Sequence, residues 1–330
     1  MKKLAYLLTV GATMVVVSML VSPAQAQATR TWVAGTGNDA DPCSRTQPCK
    51  TFAGAISKTL AFGEINCVDA GAYGTVTITK SIAIRCNYTE AGVLAQGSDG
   101  ILVNVGPSDT VYLEGLDILG ISSDIAGPPL NGINFIQAGT LHVKNTVIRG
   151  FTNKTSGTGN GIKFAPKGAA KLFVSDTHIS ENGIDLGSAG ILIEPAASTA
   201  VNASINRVLV ENNVNGVLVH NAFNTPINAN VRDSVVAGNS HNGISASAAG
   251  TATTVLVDTT SVLFNVSTGV AVTGKNAIVL IGNSTVADNV TGVQASGGGT
   301  IQSFKENHIA GNLTDGTPIT AFPGPGGPLQ

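Results

Sequence analysis

The sequence predicts an all-β chain wound into a single solenoid of stacked coils. Three observations carry this. Glycine supplies 40 of 330 residues, while only 12% are charged and 5% aromatic. Short runs of β-branched residues alternate with small polar ones, such as Thr75-Val76-Thr77-Ile78 and Ser81-Ile82-Ala83-Ile84, which is strand periodicity. One pattern also recurs, with apolar anchors at Ile148, Ile179, Leu209, Val236, Val262, Val286 and Ile309, spaced by 31, 30, 27, 26, 24 and 23 residues. A unit of that size cannot bury its own apolar face, but stacked units can.

Composition excludes several classes. Net charge is −2 with no clustered bases, which argues against a nucleic-acid partner, since phosphate neutralisation needs grouped Lys and Arg. Hydrophobic content of 43% argues against disorder. The glycines do not recur every third residue, so a collagen is excluded.

The elements follow in chain order. Lys2 and Lys3 precede an apolar run from Leu4 to Val21, and Ser22-Pro23-Ala24-Gln25-Ala26 offers a small-x-small cleavage site. Residues 1–26 therefore read as a signal peptide. Cleavage takes Lys+Arg from 18 to 16 against 20 acids, a mature net charge of −4. No later apolar run is long enough to span a bilayer, so no membrane contact is expected after cleavage. Export implies an oxidising compartment, periplasmic or extracellular. The four cysteines, Cys43, Cys49, Cys67 and Cys86, allow three pairings. The favoured one joins Cys43 to Cys49 across a short loop through Pro48 and leaves Cys67 with Cys86, but the sequence leaves the connectivity open. Their spacing does not suit zinc.

Residues 27–64 read as an N-terminal cap. Thr51 would cap a short amphipathic helix with Phe52, Ile56 and Leu60 on one face, covering the open end of the solenoid. Residues 65–316 read as the coils. Three residues after each anchor but the first comes an asparagine: Asn182, Asn212, Asn239, Asn265, Asn289 and Asn312. Stacked Asn amides can bond one to the next, and Asn tolerates left-handed backbone. A glycine column, Gly132, Gly161, Gly190, Gly216, Gly243, Gly269 and Gly292, is expected where a tight turn feeds the next strand. Residues 317–330, rich in Pro and Gly, read as a flexible tail. At about 4.8 Å per coil, nine or ten coils would make one rod-shaped domain.

The N-terminal stretch is the most specific part. Trp32-Val33-Ala34-Gly35-Thr36-Gly37-Asn38-Asp39, then Asp41-Pro42-Cys43, Pro48-Cys49, Thr51-Phe52 and Asp69-Ala70-Gly71-Ala72-Tyr73, resembles the start of secreted bacterial β-helix proteins. With the repeats, the chain from about 30 to 315 resembles the pectate-lyase-like superfamily. That resemblance implies a single-stranded right-handed parallel β-helix with a short N-terminal capping helix. It implies no single activity, because the fold hosts lyases, hydrolases, epimerases and non-catalytic adhesins. The Asn-Thr-Asp, Asp-Asp, Gly-His-Gly and Arg-Ile-Lys runs of polygalacturonases are absent.

Chemistry was sought on outward positions. Four residues before each anchor stand Lys144, Ser175, Ile205, Arg232, Asp258, Gly282 and Lys305, and two before stand Thr146, Thr177, Arg207, Ser234, Thr260, Ser284 and Asn307. Arg207, Arg232 and Asp258 are the candidate site, a polar cluster for an acidic sugar, weighed against a plain cross-strand ion pair. Calcium would want several carboxylates and glycoside hydrolysis two facing ones, so no cofactor is expected. The five histidines fall at unrelated repeat positions, apart from His178 and His308, which each precede an anchor. Glu114, Asp117 and Asp124 form an acidic group expected to serve a turn or rim. Gly157-Thr158-Gly159-Asn160-Gly161 lacks the GK(S/T) of a phosphate loop.

The expected function is a secreted, non-catalytic surface, matrix or glycan-binding protein with a polysaccharide or cell-surface glycan as partner. The aromatic deficit weighs against it, since sugars stack on aromatic rings. The alternative is a polysaccharide lyase or glycoside hydrolase whose site recruits Asp185, Glu194, Lys163 and Lys167 from loops. A passenger of a larger secretion system is a third reading, with no barrel or sorting motif in the sequence to support it.

Overall fold

A computed structural model describes residues 27–121, 129–153, 159–196 and 199–322. The expected signal segment, Asp124, Gly157, Thr158 and the end of the tail lie outside the described residues. Three parallel sheets run the length of the molecule. Sheet A has twelve strands, from Ala28–Val33 to Thr320–Ala321. Sheets B and C have ten each, B from Gly71–Ala72 to His308–Ile309 and C from Val76–Ile78 to Thr314–Gly316. Each coil visits A, then B, then C. One runs through Ala170–Ser175, His178–Ser180 and Ala189–Ile193 before Val201–Asn206 begins the next. Strand alternation puts one side chain in two into the bore, so Ile148, Ile179, Val210, Val236, Val262 and Val286 are fully buried in line.

Two sharp corners explain the repeat. Leaving sheet A, one residue per coil takes a left-handed conformation: Asn145, Asp176, Arg207, Asp233, Thr259 and Asn283, with φ between 47° and 54°. Leaving sheet B, the left-handed residue is Gly150, Glu181, Asn212, Gly238, Phe264, Asp288 or Gly311. The residue after it turns inward and builds the ladder: Phe151, then Asn182, Asn213, Asn239, Asn265, Asn289 and Asn312. Each amide donates to the next, at 2.9, 3.3, 2.8, 2.8 and 2.9 Å. Each Oδ1 also accepts the backbone N–H of the ladder residue one coil earlier, beginning with Phe151 at 3.1 Å. The ladder thus satisfies buried corner amides that no strand can reach.

This corrects one expected member. Asn212 is the exposed left-handed corner residue, and the ladder passes through Asn213. The cause is a slip of one residue, which moves every side chain to the other face. Val210, not Leu209, pairs with Ile179 and Val236. The same slip replaces Ile205, which is buried, by Asn206 in the outward row. The row two before the anchor is corrected at all but Arg207, which is exposed at the corner, and Asn307, which is half-buried. Thr146, Thr177, Ser234, Thr260 and Ser284 are buried and serve the first corner, where Ser234 accepts from Val208 N–H and Ser284 from Thr260 N–H, both at 3.1 Å.

The glycine column is needed for closeness rather than for a turn conformation. These glycines begin sheet C strands and none has positive φ. A Cβ on Gly216 would lie 2.4 Å from Val236 Cγ1, 2.5 Å from the Gly243 carbonyl and 3.0 Å from Asn239 Nδ2. The ladder leaves no room for a side chain there.

At the N-terminal end, Thr51 caps the helix Phe52–Lys58 by accepting from Gly54 N–H at 2.9 Å. Phe52 is buried against Tyr73, with ring centres 5.2 Å apart. Leu60 does not share the helix face; it lies in the strand Thr59–Cys67 and is 39% exposed. That strand and Ala28–Val33 are the first two of sheet A, so the sheet begins before the boundary expected at 65. It also continues past 316, since Thr320 and Ala321 pair with Gln302 and Ser303. The disulfides are Cys43–Cys49 and Cys67–Cys86. No helix among the described residues is long and apolar enough to cross a membrane.

Candidate functional site

The outer face of sheet A carries three side-chain rows, because alternate residues of each strand point outward. In the middle row the register runs Tyr112, His142, Phe173, Ser204, Asn230, Leu256. Tyr112 and His142 stack at 4.4 Å with planes 8° apart, and His142 and Phe173 at 4.8 Å and 10°. The Arg85 guanidinium stands 5.6 Å from the Tyr112 ring centre. One end of this stack is therefore covered by a cation. At the other end Phe173, 40% exposed, faces Ser204, whose side chain is too short to cover a ring. Burial between the two rings holds the His142 pKa below its ordinary value.

Beyond Phe173 the face turns to amides. Asn202, Ser204 and Asn206 pair in register with Asn228, Asn230 and Arg232. The Oδ1 atoms of Asn206 and Asn230 are shielded from solvent and have no hydrogen-bond partner. An unpaired carbonyl of this kind costs about 1–3 kcal/mol, so two on neighbouring strands call for an explanation.

An ion-pair ladder begins in the middle row with Arg30 and Glu64 and continues along the third row and the adjoining corner. Glu64 holds Arg30 at 3.1 Å and Arg85 at 3.5 Å. Glu114 holds Arg85 at 3.8 Å and Lys144 at 3.5 Å. Asp176 grips Arg207 in two bonds of 2.7 and 2.9 Å, which lowers the carboxyl pKa. Arg232 reaches Asp233 at 3.4 Å and Asp258 at 3.5 Å, and Asn283 donates to Asp258 at 3.1 Å. A groove of about 320 Å³ runs between the aromatic stack and this ladder, lined by Arg85, Tyr112, Glu114, His142, Lys144 and Phe173 among others.

The candidate residues are thus only partly together. Arg232 and Asp258 are direct register neighbours. Arg207 belongs to the corner, not the strand, and is taken by Asp176. The loop candidates do not join them. Asp185 binds Gly187 N–H and the Ser188 hydroxyl within its own loop, and Glu194 binds His220 at 2.9 Å. Lys163 lies in sheet C. On sheet B, Asp117 is closed by Arg149 at 2.6 and 3.0 Å, and His178 meets Glu211 at 3.0 Å. Among the described residues no three His, Cys, Asp or Glu side chains are grouped to hold a metal ion.

The aromatic stack was missed from sequence, although a signal existed. Tyr112, His142 and Phe173 each stand six residues before a buried isoleucine, Ile118, Ile148 and Ile179. Counting backwards from the anchors places all three in one outward row.

No family model matches the sequence, nor does any curated protein. Among solved structures, the chain is similar to the pectate lyase Pel9A, with a TM-score of 0.63 at 16% identity over 89% of this chain and 79% of that one. The fold is the right-handed parallel β-helix. Weaker similarity joins this β-helix to the Dettilon tailspike protein gp208, at TM-score 0.42 and 14% identity over 86% and 68% of the two chains. For the periplasmic alginate epimerase AlgG the TM-score is 0.29 at 13% identity over 72% and 64%.

Proposed function

We propose that the protein is an exported glycan-binding β-helix whose ligand lies on the outer face of sheet A. The observation that carries this is the open face of the Phe173 ring, bordered by the unpaired amide oxygens of Asn206 and Asn230. A sugar offers an apolar C–H face for the ring and hydroxyls for the amides. The rigid sheet holds both at fixed spacing without ordering a loop, which lowers the entropy cost of binding. The aromatic deficit read from composition loses its force, because Phe173 and His142 extend the row begun by Tyr112. The disulfides fit an extracellular setting, and the structural neighbour Pel9A is a pectate lyase. The test is affinity electrophoresis of native protein and Phe173→Ala through gels cast with soluble polysaccharides. Retardation of the native protein, lost in the variant, is expected; equal migration of the two in every gel would refute the reading.

A second reading, glycan cleavage, rests on His142. Its lowered pKa keeps the imidazole neutral near pH 7, and Lys144 and Glu114 line the same groove, so it has the protonation state of a general base. Release of new reducing ends that disappears in His142→Phe would favour it.

A further inference from the structure

We infer that the glycan taken by this face is a neutral one, not a polyuronate or other polyanion. This rests on the glycan-binding reading and narrows its substrate class. A chain with a carboxylate on each residue would need a track of free cations along the rod. Sheet A and its adjoining corner do carry such a line of bases, Arg30, Arg85, Lys144, Arg207 and Arg232. Each is already matched: by Glu64, by Glu64 and Glu114, by Glu114, by Asp176, and by Asp233 and Asp258 respectively. Five cations meet five acids, so the border presents alternating signs and no net field. A polyanion laid here would gain from the bases and lose as much from the acids.

The groups left without partners speak the same way. Asn206 Oδ1 and Asn230 Oδ1 are acceptors. Each suits a hydroxyl donor and cannot be satisfied by a carboxylate oxygen. The torsion that turns an Asn amide is broad, so a modest rotation brings either oxygen to a ligand resting on Phe173. Lys171, two residues before Phe173 and in register with Asn202, is exposed and has no acid within ion-pair distance. Lys305, at the far end of the same sheet, is exposed without an ion pair as well, but two lysines at separated coils supply isolated charges in high dielectric, not a track.

The test is calorimetric titration of the purified protein with neutral cello-, xylo- and galacto-oligosaccharides, and separately with oligogalacturonate and oligoalginate. The inference expects a neutral series to bind, with affinity changing less than about twofold between low and roughly 0.5 M salt, because no screened charge pair is involved. Asn230→Ala should weaken that binding about tenfold or more while leaving the unfolding midpoint unchanged or raised, since its oxygen bonds nothing in the free protein. Glu114→Gln, which frees Lys144 and leaves Arg85 to Glu64 alone, should create salt-sensitive binding of oligogalacturonate that the native protein lacks. Native binding of the uronate series alone, falling more than about tenfold with salt, would overturn the inference and keep the glycan-binding reading. Binding of neither series would overturn the reading itself.

Discussion

Replacing Asn213 by alanine tests the ladder at the position where sequence and structure part. Its Oδ1 accepts the Asn182 N–H at 3.1 Å and the Asn182 amide at 2.9 Å. Its Nδ2 donates to the carbonyls of Ile179 and Glu211, at 3.1 and 2.9 Å, and to Asn239 Oδ1 at 3.3 Å. Alanine removes all five bonds and leaves the buried Asn182 N–H with no acceptor. That orphan alone costs about 1–3 kcal/mol, and the remaining bonds add roughly 1 kcal/mol, so about 2–4 kcal/mol of stability should be lost. Asn212→Ala is the matched control. Asn212 is exposed, and its only penalty is an alanine at φ 55°, about 1 kcal/mol; Asn212→Gly should cost almost nothing. Urea denaturation of the three variants gives the ranking, and hydrogen exchange at Asn182 reports the orphaned amide directly. A repeat protein can unfold in parts, so the local exchange rate decides if the transition broadens. Asn212→Ala costing as much as Asn213→Ala, or an unchanged exchange rate at Asn182, would refute the reasoning.

Other expectations are narrower. Gly216→Ala should cost about 1–3 kcal/mol or more by overpacking, whereas Gly168→Ala, with nothing within 4 Å of the new Cβ, should stay within about 0.5 kcal/mol of native; paired thermal melts decide. Arg232→Ala and Asp258→Asn should each change stability by less than about 1 kcal/mol, as exposed ion pairs do, and neither should abolish glycan binding in gel retardation; loss of binding in both would return the site to that pair. His142 has a folded pKa below its unfolded value of 6.5. The unfolded chain therefore takes up a proton first as pH falls. The stability His142 contributes is full above pH 6.5 and lost as pH drops from there through the folded value. His142→Phe keeps a ring in the stack, and its midpoint should fall less steeply between about pH 7 and 5 than that of the native protein.

Much of the architecture was legible because a solenoid repeats its physics. Each coil must bury an anchor and satisfy the same corner amides, so Ile179, Val236, Val262 and Val286 recur with their asparagines. The slip at Leu209 has a local cause. The sheet B strand Leu209–Glu211 spans only three residues, too few for alternation to show which of Leu209 and Val210 points inward. Asn212 lies four residues before Gly216, the spacing of Asn239 to Gly243, while Asn213 lies three before, the spacing of Asn289 to Gly292. Both registers were written in the sequence, and only the pairing with Ile179 separates them. The buried hydroxyl row was misread because strand alternation breaks at a left-handed corner: after Asp176, Thr177 turns inward. The surface of sheet A was least legible. Its stack and ion ladder join residues about a coil apart in sequence, and the composition of the chain as a whole says nothing about which of its few rings share a row. Arg232 and Asp258 were found because they are charged, yet a satisfied pair has little left to offer a ligand. Phe173 and Asn230 went unnoticed because each is ordinary in a strand.

The central claim is that the outer face of sheet A at Phe173 receives a glycan. Hydrogen exchange with and without a saturating neutral oligosaccharide tests it most directly, since sheet A, B and C strands alternate along every coil. Slowed exchange confined to 170–175, 201–206 and 227–232, and absent in Phe173→Ala, is the predicted footprint. Protection centred on sheet B or sheet C strands, or unchanged in Phe173→Ala, would contradict it.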